Sequence, residues 1–122
     1  MGMGKGLYVR IGRLNLKINK ELPEFLQKVI KRYPDIWQSY ENLGKTVTKV
    51  KGLDGRTQRL VKLAIAIGAK SEGAVHSHVG KCKKAGISNG EIYHVALLSI
   101  TSLGWSSAIA TISWIDDILK EL

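Results

Sequence analysis

Leu60, Val61, Leu63, Ala64, Ile65, Ala66 and Ile67 follow one another with only Lys62 between them. At about 3.6 residues per turn, such a segment is apolar on nearly every side of a helix. It belongs at the centre of a helical packing, and Asp54 stands where a capping side chain would open that helix. A second apolar stretch, Val95 to Ile115, carries no charge and reaches the length of a membrane span. Its hydroxyls (Ser99, Thr101, Ser102, Ser106, Ser107, Thr111 and Ser113) make it a weak anchor in hydrocarbon. Gly104, before Trp105 and Ser106, supplies a break, so the stretch reads as two buried helices rather than a span, and no membrane partner is expected.

Periodicity places the other elements. Pro23 suits a first helical turn, and Leu22, Leu26, Val29 and Tyr33 form one stripe before Pro34 interrupts. Ile36, Tyr40, Leu43, Val47 and Val50 then recur at helical spacing up to Gly52. Each of these two helices is expected to bury one side. A fourth helix runs from Glu72 to Ala85, with Val75, His78, Val79 and Cys82 inward and Gly86 as its left-handed end. Ser88 and Glu91 have the spacing of a capping box that opens a fifth. A sixth follows Gly104, with Ala108, Ile112, Ile115, Leu119 and Leu122 on one face. Ahead of all this, Leu7, Val9 and Ile11, then Leu14, Leu16 and Ile18, alternate about Gly12-Arg13 as a short hairpin would. The reading is a basic segment at 1–21 and one all-α, six-helix domain at 22–122.

A chain of 122 residues suits one core. Cys82 is the single cysteine, which excludes an intramolecular disulfide and, with no secretory leader recognised, points to a cytoplasmic protein. The net charge of +9 gathers partly in Lys5, Arg10, Arg13, Lys17 and Lys20, and partly in Lys81, Lys83 and Lys84. Neither group is interleaved with aromatics, and neither sits in a nucleic-acid-binding motif. Lysines late in a helix also complement its dipole, so the charge reads as a solvated surface rather than a nucleic-acid interface. Helices apolar on several sides exceed what so short a chain covers by itself, and a homo-oligomer is expected.

Among groups that carry chemistry, Gly44-Lys45-Thr46 lacks the earlier glycine of a phosphate-binding loop, because Ser39 stands there. His78 and Cys82 share a helix face, but His76 lies about 200° round from His78 and His94 is on another helix, so no metal or other cofactor is expected. Ser71 is about 10 Å along a helix from His78, too far for a serine-histidine pair.

Three segments in order carry a family likeness: LDGRTQRL from Leu53 to Leu60, EGAVHSH from Glu72 to His78, and AGISNGEI from Ala85 to Ile92. Over roughly Pro34 to Ala110 the chain resembles the carboxymuconolactone decarboxylase family, which includes alkylhydroperoxidase D. The resemblance implies a helical domain assembled as homo-trimers or homo-hexamers, with sites in clefts between helices and subunits. The family's peroxidases use a glutamate, a Cys-x-x-Cys pair and a histidine. Those positions hold Arg59, Ser71, Ala74 and His78 here. A dithiol peroxidase is excluded, since a thiolate must attack peroxide and a second thiol must resolve the sulfenic acid. Peroxiredoxin-type activity would rest on Cys82 alone, helped by an outside thiol. The family's cofactor-free lactone decarboxylases also lack the cysteine pair. Likeness to them implies a lyase acting on a small organic acid or lactone. His78 would be the catalytic acid/base, Glu72 its orienter and Arg59 the carboxylate-binding residue. Ala74 stands one turn before His78, where those enzymes tend to carry an acid. The alternative is a degenerate, non-catalytic family member acting as a binding or assembly module, with His78 a buried histidine bonded to a neighbouring helix.

Overall fold

The computed structural model describes the backbone of residues 6–11 and 14–19, and residues 22–122 in full. The fold is all-α in class, with a hairpin ahead of the helices. Strands β1 (Gly6–Ile11) and β2 (Leu14–Asn19) pair antiparallel with Val9 opposite Leu16 and Ile11 opposite Leu14. This is the expected hairpin; its Gly12-Arg13 turn lies outside the described residues. Helices α1 (Glu24–Arg32) and α2 (Pro34–Thr48) complete a first compact unit that ends at Val50. Pro34 occupies the first turn of α2, where its missing N–H removes no helical bond.

The second unit, from Lys51, holds α3 (Gly55–Gly68), α4 (Glu72–Lys84), α5 (Asn89–Leu98), the single turn α6 (Ile100–Leu103) and α7 (Trp105–Leu119). Local chemistry sets its helix starts. The Asp54 carboxylate accepts from the Thr57 N–H at 2.7 Å, and Ser71 caps α4 through the Ala74 N–H. Ser88 and Glu91 form the expected capping box. The Ser88 hydroxyl accepts from the Glu91 N–H at 3.2 Å, and the Glu91 carboxylate accepts from the Ser88 N–H at 2.9 Å. Gly86 ends α4 with φ +81°. Gly104, at φ +98° and ψ 161°, turns α6 into α7 through backbone space nearly closed to other residues. The 95–115 stretch breaks twice, at Ser99 as well as at Gly104, and the Ser99 hydroxyl donates to the Ala96 carbonyl at 2.6 Å. That makes seven helices among the described residues, one more than expected. Among the described residues no helix is long and apolar enough to cross a membrane.

The core of this unit is Leu63 and Ile67 of α3, Val75, Val79 and Cys82 of α4, Ile92 and Ala96 of α5, and Ile115 of α7, with Ile87 from the α4–α5 turn. Each is close to fully buried. The chain end is tied to α7, since Asp116 accepts from the Tyr93 hydroxyl and from the N–H groups of Glu121 and Leu122.

Three expectations need correcting. In α1 the buried residue is Ile30, whereas Val29 and Tyr33 of the expected stripe are exposed. The apolar stripe of α2 is not buried in the single chain: Tyr40 and Leu43 are both 62% exposed, and Ile36, Val47 and Val50 are open as well. Likewise α3 buries Leu63, Ala66 and Ile67 but leaves Val61 and Ile65 exposed, the latter by 63%. Helical periodicity marks a face that will be covered without saying what covers it.

Candidate functional site

Helices α3 and α4 pack together more extensively than any other helix pair. That contact brings Arg59, His78 and Cys82 into one neighbourhood. His78 follows Val75 by three residues and precedes Cys82 by four, so it lies at the edge of the buried stripe of α4, half-buried itself. Its Nδ1 is buried and has no hydrogen-bond partner. Desolvation lowers its proton affinity below the ordinary 6.5, and the charges of Lys81, Lys62 and Arg59 lower it further. The charged imidazolium is therefore disfavoured, and one ring nitrogen stands unpaired near three cations. A buried polar atom without a partner is rare and marks a place where a ligand can complete the bonding.

Cys82 is fully buried, and its thiol donates weakly to the Arg59 carbonyl across 3.6 Å. Burial raises its pKa, and the Arg59 charge offsets this only in part. A thiol held protonated and closed off from solvent is a poor nucleophile.

Glu72 is placed elsewhere. Its carboxylate lies with the His76 imidazole and the Asp117 carboxylate, their ligand atoms within 4.8 Å of one another, where α4 meets α7. The structure therefore brings together three of the four residues singled out in the sequence, Arg59, His78 and Cys82, and sets Glu72 beside His76 instead of His78. The sequence reading did not connect Lys62 and Lys81 with His78. Helical spacing carries the signal for both: Lys62 follows Arg59 by three residues and Lys81 follows His78 by three. A surface-open cavity of about 300 Å³ lies between α3, α5 and α6, lined by Ala64, Ile67, Val95, Leu98, Ser99 and Ser102 among others. None of the four singled-out residues lines it.

The model of the carboxymuconolactone decarboxylase family matches residues 34–117, which include α2 to α5, most of α7 and every residue discussed above. The chain belongs to this family. A carboxymuconolactone decarboxylase family protein from Legionella pneumophila, solved in its apo form, superposes with a TM-score of 0.68 at 20% identity. The match covers 79% of this chain and 86% of that one, and it speaks for a shared fold. No curated protein matches the sequence.

Proposed function

We propose that this family member is a cofactor-free lyase acting on a small carboxylate or lactone acid, with His78 as its proton-transferring residue. The observation that carries the reading is the unpartnered, buried Nδ1 of His78 among the charges of Arg59, Lys62 and Lys81. An anionic substrate suits that neighbourhood, and Arg59 can hold a carboxylate through two parallel hydrogen bonds. Its arrival offsets the cationic field that adds to desolvation in lowering the proton affinity of His78, so that affinity rises once substrate is bound. The imidazolium is then the acid that decarboxylation needs. The bond to the carboxylate breaks, carbon dioxide leaves, and the electron pair remains on the ring carbon as a dienolate conjugated with the lactone carbonyl. His78 delivers a proton to that carbon and recovers one from solvent. The raised pKa and full burial of Cys82 weigh against peroxidase chemistry through that thiol.

The exposed stripes of α2 and α3 support a homo-oligomer, because apolar faces of this extent are usually covered by a partner. A neighbouring copy would then also help to enclose the substrate.

The test is carbon dioxide release from a panel of carboxylated γ-lactones. Turnover should fall by about 10²–10⁴-fold in His78→Gln, and Arg59→Ala should act mainly through KM. A wild-type chain that neither binds nor consumes any of these acids would instead be the non-catalytic assembly module.

A further inference from the structure

Glu72 and His76 are four residues apart on α4, so they project from the same face one turn apart. Asp117 reaches them from α7, 41 residues further along the chain. Its Oδ2 lies 2.9 Å from His76 Nε2, and all three ligand atoms lie within 4.8 Å of one another. His76 is half-buried, whereas Glu72 and Asp117 are exposed. This face of α4 lies well round from His78, two residues being about 200° of helical rotation. The group is thus separate from the site described above.

We propose that Glu72, His76 and Asp117 form a binding site for a divalent transition cation of the zinc class. One imidazole and two carboxylates match the donors such ions take, with bonds of about 2.0–2.2 Å. Ligand atoms on a tetrahedral ion of that size stand about 3.4 Å apart, wider than the 2.9 Å between His76 and Asp117 and inside the 4.8 Å that holds for all three. The ion takes the place of the hydrogen bond between His76 Nε2 and Asp117 Oδ2, and the two carboxylates balance its charge. Three protein ligands on an exposed face leave the fourth position to water, the open arrangement of a reactive or exchangeable site rather than a closed structural one. Because the ligands come from two helices, the bound ion also clamps α4 to α7. The mixed N,O set favours zinc, cobalt or nickel over calcium and magnesium, which prefer oxygen alone.

Zinc chloride titrated into the chelator-treated full chain, followed by calorimetry, tests this. Wild type should bind one ion per chain. His76→Ala and Asp117→Asn should weaken binding by about tenfold or more, since even supporting residues of metal sites cost that much. Glu72→Gln should weaken it as well, and His94→Gln and Cys82→Ala should leave it unchanged. Glu72, Asp117 and His94 are exposed, His76 is half-buried and Cys82 buried, and circular dichroism establishes that each variant folds. Cobalt(II) in place of zinc gives a second readout: visible bands of an N,O-coordinated ion with no thiolate charge-transfer band. The proposal is overturned by a wild type that shows no saturable zinc binding, by equal binding in the His76 and Asp117 variants, which would leave the pair a plain surface ion pair, or by a thiolate band that moves the ion to Cys82.

Discussion

Replacing Cys82 by alanine and by serine separates a packing thiol from a reactive one. The sulfur is fully buried, and its thiol donates weakly to the Arg59 carbonyl at 3.6 Å. Alanine removes one core atom and leaves a small void, at about 1 kcal/mol. Serine shortens the side chain, so its hydroxyl stays beyond the ~3.0 Å reach of a good O–H···O bond. An unpaired buried hydroxyl costs about 1–3 kcal/mol, so serine should destabilise by about 2–4 kcal/mol in all. For a domain of this size each kcal/mol lowers the melting midpoint by roughly 3–6 °C. Urea and thermal unfolding at one fixed protein concentration should therefore rank wild type above alanine, and alanine several degrees above serine. Turnover of lactone acids should survive in both variants. A serine variant as stable as the alanine one, or loss of activity in both at unchanged stability, would refute the reasoning and return Cys82 to the chemistry.

Three further outcomes follow from particular contacts. Hydrogen bonds from the Ser88 N–H, Arg56 and the Ser88 hydroxyl hold the Glu91 carboxyl at about 2, against an ordinary 4.5. The charged form is favoured in the folded state, so this stabilisation is complete above pH ~4.5 and fades as pH falls towards ~2; acid unfolding of Glu91→Gln should lack that component and otherwise run parallel to wild type. Gly104→Ala should cost about 1–3 kcal/mol in chemical denaturation through backbone strain alone, since an added Cβ there meets no atom within 4 Å. Leu43→Glu, on the open stripe of α2, should leave the secondary structure intact and yet lower the assembly state seen by sedimentation if that face joins copies of the chain; an unchanged sedimentation coefficient would remove α2 from the interface.

What could be read in the sequence was largely what short-range chemistry decides. Asp54, the Ser88–Glu91 box, Gly86 and Gly104 act within a turn of their own positions, and the structure uses each as expected. The inward face of α4 was legible too, because Val75, Val79 and Cys82 repeat at helical spacing. Legibility ended where the answer depended on another element. Ile30 replaced Val29 as the buried residue of α1, a choice that one helix's own stripe does not determine. The break at Ser99 carries no local signal, since the bond its hydroxyl makes to the carbonyl three residues back is also made by Ser113 inside the unbroken α7. Glu72 looked like a partner for His78 because both sit on α4, but Asp117 on α7 decides which histidine it joins. Lys62 was not read as a neighbour of His78 because its effect appears only once α3 and α4 are packed together, whereas Lys81, three residues on along α4, was within reach of the spacing argument.

The central claim is that His78 is a neutral imidazole whose proton affinity responds to an anion at Arg59. The direct measurement is an NMR titration of the His78 ring, assigned by its disappearance in His78→Gln, with and without a saturating small dicarboxylate. The account predicts a midpoint below 6.5 in the free protein and a clear upward shift with the dicarboxylate, abolished in Arg59→Ala. A midpoint at or above 6.5 in the free protein, or one indifferent to the dicarboxylate, would contradict it.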